Sequence, residues 1–356
     1  MAGRTRGGTV RRGWRRWGAA FVRRLARLVA TLVLLAAFAA FAAVGASAAA
    51  PRAAAAQPLL QVLVEPHAGM VPIDRLVAGA RRSVDVEIYE LSDPTFEEIL
   101  VRDAERGVAV RVILDKAYVE DENVPAYDYL SAHHVLVRWA PKRFDLDHEK
   151  AIVVDDATAL VMTMNLTARY YSTTRDFVVV DRQAADARAI ETTVEDDWSA
   201  SGAVAPRGVD LLWSPGSEEA LIGLIGSARQ TVAIENEEMD DRYITNALVG
   251  AARRGVRVTV VMTAGSSWDA AFRELAAAGV HVITYPDTET GLYIHAKAVV
   301  VDAGQSDERA FVGSENFSVA SLVYNRELGI VTRNPSVVST LGSVLAGDAS
   351  RGTPWR

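Results

Sequence analysis

"HEKAIVVDD" (148–156) and "HAKAVVVD" (295–302) decide how this chain of 356 residues is read. Each places a histidine and a lysine two residues apart, ahead of an apolar, mostly β-branched run that ends in aspartate. His148, Lys150 and Asp155 recur as His295, Lys297 and Asp302 at an offset of 147. Upstream, "VDVEIYE" (84–90) matches "VAIENEE" (232–238), and "AERGVAVRVIL" (104–114) matches "ARRGVRVTVVM" (252–262), both at an offset of 148. Downstream, Asn165 matches Asn316 and "TRDFVVV" (174–180) matches "NRELGIV" (325–331), both at 151. Matches in one order at a nearly constant offset mean an internal duplication. The drift in offset falls in "DAGQSDERAF" (302–311), the longer counterpart of "DDATALV" (155–161), where a turn tolerates extra residues.

Each copy alternates strand and helix patterns. "SVDVEIYEL", "VAVRVILD", "VLVRWA", "KAIVVD" and "ALVMTMN" read as strands, and "TFEEILVRDAERG" and "YDYLSAHH" as helices. The expectation is an α/β fold of two layered α-β-α units, 58–205 and 206–350, around a pseudo-twofold axis, with "SASGAVAPRG" (199–208) as the linker.

Residues 1–27 hold nine arginines and no acid, and 28–50 run without a charge to small residues that include Ala46 and Ala48. A basic start, an apolar run and an Ala-x-Ala site predict a signal peptide or a retained membrane anchor over 1–56. The body is then exported, either secreted or held on the outer face of the cytoplasmic membrane. Ten of the 38 basic residues lie in that segment, leaving 28 against 45 acidic residues, a balance of −17. So acidic a body weighs against a protein that holds nucleic acid mainly through phosphate contacts. With no cysteine, disulfides, thiolate metal sites and a cysteine nucleophile are excluded.

His and Lys at i and i+2 of a strand share a face. Two such faces meeting across the twofold bring two imidazoles and two ammoniums into one pocket. One imidazole can attack phosphorus while the other protonates the leaving oxygen, and the cations and asparagines hold the phosphoryl oxygens. No cofactor or metal is needed. With both motifs in one chain, a monomer suffices. Glu87 and Glu235, equivalent positions, read as strand-end ion pairs or cleft residues, and "VEDEN" (119–123) as a solvated loop.

His-x-Lys-x4-Asp followed by Gly-Ser-x-Asn resembles the phospholipase D superfamily. The second copy carries His295, Lys297, Asp302, Gly313, Ser314, Asn316 and Glu327. The first carries His148, Lys150, Asp155, Asn165 and Asp176, but reads "MTMN", with Met162 for the glycine and Thr163 for the serine. The resemblance implies the duplicated phospholipase D-like sandwich with one shared active site. It implies a phosphohistidine on His148, acid–base work by His295, imidazoles oriented by Asp176 and Glu327, and catalytic parts for Lys150, Asn165, Lys297, Ser314 and Asn316. Asp155, Thr163, Asp302 and Gly313 are supporting residues. The leading expectation is an exported phosphodiesterase hydrolysing phospholipid head-group esters. The alternatives are a cardiolipin synthase-like phosphatidyltransferase, a nuclease of the same superfamily, and a non-catalytic lipid-binding relic suggested by "MTMN".

Overall fold

The structure, a computed structural model, describes residues 57–356. The segment read as signal or anchor lies outside the described residues. Among the described residues no helix is long and apolar enough to cross a membrane.

Residues 58–356 form one compact unit containing two mixed sheets with the same strand order. The first runs Leu60–Glu65, Thr174–Asp181, Thr158–Met162, Lys150–Val154, Ser83–Ile88, Ala109–Leu114, Leu136–Trp139. The second runs Leu211–Ser214, Glu327–Thr332, Arg309–Gly313, Ala298–Val301, Thr231–Glu235, Arg257–Thr263, His281–Tyr285, and ends on the short strand Thr353–Pro354. In both, the helix after the early buried strand starts from an aspartate. Asp93 accepts the N–H groups of Thr95 and Phe96, and Asp241 those of Tyr243 and Ile244. Such a cap contributes about 1 kcal/mol. Gly107 and Gly255 then turn the chain at φ +90° and +89°, which a side chain would resist.

Three apolar cores follow from this layering. One packs helices Val71–Ala78, Pro94–Glu105 and Glu120–Ala132 on the first sheet, and a second repeats this on the second sheet with Arg242–Arg253 and Asp269–Ala277. The third belongs to both repeats. Ala151, Val153, Val161 and Val179 meet Ala298, Val300, Val312 and Ile330, flanked by helices Ala184–Ser199 and Pro335–Arg351. The strands bearing the motifs therefore back onto each other.

The stretch 119–123 is not a loop. It opens the helix Glu120–Ala132, whose three leading acids suit the positive end of the helix dipole. Its Asn123 is fully buried, donating to the carbonyls of Tyr89 and Asp115 and accepting from Leu91 N–H.

Candidate active site

Each histidine sits where its chain leaves its own sheet and joins the other repeat. Tyr293–Ile294 pairs in parallel with Thr174–Arg175, and His295 N–H donates to the Arg175 carbonyl at 3.2 Å. Asp147 bridges to Arg326, and His148 N–H donates to the Arg326 carbonyl at 2.9 Å. The next residue of each receiving strand is the acid. Nδ1 of His148 therefore donates to Glu327 Oε2 at 2.8 Å, and Nδ1 of His295 to Asp176 Oδ1 at 2.8 Å. The histidines are oriented crosswise, each by the carboxylate of the opposite repeat. The Nε2 of His148 is left for chemistry, and that of His295 faces Glu237 Oε2 at 3.5 Å.

Both histidines line a cavity of about 890 Å³, together with Asn165, Asp176 and Asn316. The side-chain oxygens of Asn165 and Asn316 are buried there without a protein partner. Lys150, Lys297, Ser314 and Glu327 do not line it. The lysines are fully buried, with Nζ donating to the carbonyl of its own motif's histidine, at 2.7 Å in Lys150 and 2.6 Å in Lys297.

The two pairs differ electrically. Burial, then the charges of Lys150 and Lys297, hold the His148 imidazole well below its usual range, so it is neutral. Burial pushes its partner Glu327 up to about 7, against the pull of Lys150. Burial brings the Lys150 ammonium down to about 7. Asp176 goes the other way. Burial opposes its ionisation, but the charge and hydrogen bond of His295, with Lys297 and Thr163, hold it below the carboxylate range.

The "MTMN" departure keeps its working part. Thr163 Oγ1 donates to Asp176 Oδ1 at 2.6 Å and accepts Phe177 N–H at 2.9 Å. In the second repeat Ser314 plays the matching part, its Oγ accepting Leu328 N–H at 3.0 Å while its hydroxyl also bonds Glu327, so it positions that acid from outside the cavity. Ser321 adds a second hydroxyl to Glu327, at 2.5 Å. Gly313 is required locally. A β-carbon there would collide with the Gly329 backbone and the buried Glu315 carboxyl. Met162 faces Val178 in the corresponding pair, with Met164 in place of the glutamate, so the first repeat fills the same space with apolar bulk.

Asp155 and Asp302 are structural. Both lie in the left-handed region, at φ +56° and +53°. Asp155 accepts the N–H groups of Arg81, Arg82 and Ser83, and Asp302 those of Arg229, Gln230 and Thr231. Burial opposes the charge, but these donors win and lower both carboxyls.

Two features escaped the sequence reading. Glu87 and Glu235 neither line the cavity nor form strand-end ion pairs. They are fully buried beside a crossed pair of arginine clamps, and burial pushes both far above the carboxylate range. Arg326 grips Asp197 of the first repeat with Nε at 2.8 Å and Nη2 at 3.0 Å. Arg175 grips Asp348 of the second with Nε at 2.6 Å and Nη2 at 3.2 Å. Both arginines directly precede the orienting acids, in the matched "TRD" and "NRE", and that duplication was the available signal. The second missed feature is Glu237, a cavity residue at the position that Tyr89 fills in the first repeat. Among the described residues only Asp85, Asp156 and Glu191 cluster closely enough for a metal, and Arg111 already bonds Asp85 and Glu191.

The family described as "Cardiolipin synthase, PLD-like domain" matches residues 73–198 and again 221–348. Phospholipase D Y of Dictyostelium discoideum is 28% identical over 154 residues, 38% of this chain and 34% of that protein. Cardiolipin synthase A of Proteus mirabilis (strain HI4320) is 25% identical over 355 residues, 83% of this chain and 70% of that protein. The chain thus spans about a third of the first relative and over two thirds of the second. Among solved structures, a phosphatidylserine synthase from Haemophilus influenzae Rd KW20 superposes with a TM-score of 0.65 at 12% identity, over 83% of this chain and 87% of that one. A polyphosphate kinase from Porphyromonas gingivalis gives 0.64 at 14%, over 83% and 53%. These last two share the fold. With a family match to both repeats, two histidine motifs in register and one cavity that takes a histidine from each, the chain belongs to the phospholipase D superfamily.

Proposed function

We propose that this protein transfers a phosphatidyl group from a phospholipid to an alcohol, in the manner of a cardiolipin synthase. The observation that carries the reading is the crossed pair of histidines, each held by the opposite repeat's carboxylate, over one cavity. Neutral His148 is the nucleophile. Its Nε2 attacks phosphorus, the bond to the leaving alkoxide breaks, and His295 gives that oxygen its Nε2 proton. The incoming hydroxyl then gives its proton to His295 and attacks the phosphohistidine, restoring both imidazoles. Asn165, Asn316 and the buried lysines stabilise the charge that builds on the non-bridging oxygens.

The relation to cardiolipin synthase A over 83% of the chain supports an alcohol acceptor. Hydrolysis is the second reading, supported by the likeness to phospholipase D Y over 38% of it. Among the described residues, Glu237, Glu238, Asp287 and Glu289 line the cavity with Arg169 as the one arginine and no lysine, which disfavours a polynucleotide. The arginine-rich start and its uncharged run support action on the outer face of the cytoplasmic membrane.

Purified protein incubated with labelled phosphatidylglycerol, phosphatidylcholine and single-stranded DNA tests the reading. A lipid with two phosphates should form from phosphatidylglycerol, and not with His148→Ala. Phosphatidic acid as the sole product would favour hydrolysis. Cut DNA beside intact lipid would overturn both.

A further inference from the structure

Glu237 stands where the reaction needs an anion from outside. Its Oε2 accepts from Lys297 Nζ at 2.9 Å, lies 3.5 Å from His295 Nε2 and 3.5 Å from Asn316 Nδ2. Those three groups are the ones the second repeat would offer to a phosphoryl oxygen. The other carboxylate oxygen accepts from Tyr293 OH at 2.9 Å. The first repeat has no such anion. Tyr89 fills the equivalent position, its ring edge-on to His148 at 4.7 Å with Lys150 Nζ 4.9 Å from its centre. One half of the cavity is therefore open to an anion and the other already holds one.

We propose that Glu237 is an internal occupant of the phosphate site, holding the place of a non-bridging oxygen against Lys297, His295 and Asn316, so that a phosphodiester is seated by displacing it. The proposal rests on the phosphoryl-transfer reading above. Burial works against the carboxylate, but Lys297 and His295 overcome it and keep Glu237 far below the usual range, so it leaves by moving rather than by taking a proton. Its side chain is 22% exposed, toward the cavity it lines, which gives it somewhere to go. A displaced carboxylate stays on the wall with Glu238, Asp287 and Glu289. The substrate is thus seated first on the His148 side, where no carboxylate competes.

The test is tungstate, an oxyanion that needs no knowledge of the lipid, titrated calorimetrically into the wild type, Glu237→Gln, Glu237→Ala and Tyr293→Phe, with melting curves to confirm folding. Removing the internal anion should tighten tungstate binding by about tenfold or more in both Glu237 variants. Loss of one anchor in Tyr293→Phe should give a smaller gain, about threefold. Diester turnover by Glu237→Gln should show a lower KM. Tungstate bound equally or more weakly by both folded Glu237 variants would overturn the proposal and make Glu237 a holder of Lys297. Tungstate bound by none of the four proteins would overturn the phosphate-site reading itself.

Discussion

Replacing Arg326 by methionine removes one of the two clamps that tie the repeats together behind the cavity. The guanidinium holds Asp197 through two hydrogen bonds, stacks 4.4 Å from the centre of the Phe144 ring, and is the cation facing Glu87, Asp147 and Glu149. Burial, then the charges around it, pushes Glu87 and Glu149 far above the carboxylate range, and Asp147 up to about 7. Arg326 therefore balances mainly Asp197, with help from Arg143. Breaking a buried pair from one side typically costs about 3–5 kcal/mol. In a domain of this size that lowers Tm by roughly 6–15 °C.

The loss carries a pH signature. Burial already holds the Asp197 carboxyl above its usual range against the pull of Arg326 and Arg143, and without Arg326 it rises further above the unfolded value near 4, like the carboxyls around it. Such groups stabilise the fold below the unfolded pKa, and that contribution disappears as pH rises through the folded one. The deficit of Arg326→Met should therefore be largest near pH 8 and shrink by up to about 1.4 kcal/mol per pH unit toward pH 5. Calorimetric melting of both proteins across that range is the assay. A variant within about 2 °C of wild type, or a deficit that does not change with pH, would refute the reasoning.

Thr163→Val keeps shape but removes the donor to Asp176 and the acceptor of Phe177 N–H. Steady-state kinetics should show kcat reduced by about five- to tenfold, with Tm reduced and Thr163→Ser restoring both. Asp302→Asn should cost about 1–3 kcal/mol in urea unfolding, through three weakened N–H contacts, with catalytic constants nearly unchanged. The Asp302 carboxyl is lowered in the fold, so its stabilisation is present above the unfolded pKa and lost as pH falls through the folded one. Wild type and variant should therefore converge in acid.

The duplication, the α/β layering and both histidine motifs were legible in the chain because local patterns carry them. Strand periodicity, a histidine two places from a lysine and a constant offset all survive without coordinates. The crossing was not legible. That His148 meets Glu327 while His295 meets Asp176 depends on where each chain leaves its sheet, a tertiary fact with no local mark. The arginine clamps lay in aligned stretches, but sequence does not reveal that Arg175 and Arg326 face helices of the opposite repeat. The motif position of Ser314 does not say whether it meets the cavity or the acid behind it; in the fold it bonds Glu327 and Leu328 N–H from outside the cavity. The acids of 119–123 were read by polarity alone, and polarity does not separate a loop from a charged helix start.

The central claim is that two repeats make one site with one nucleophile. The direct measurement is to quench the enzyme in alkali during the burst with bis(4-nitrophenyl) phosphate, then count and locate the phosphohistidine by peptide mass spectrometry. The account predicts a limit of one label per chain, on His148, with none formed in His148→Ala. Two labels per chain, one on each histidine, would contradict it, because each repeat would then be a separate site.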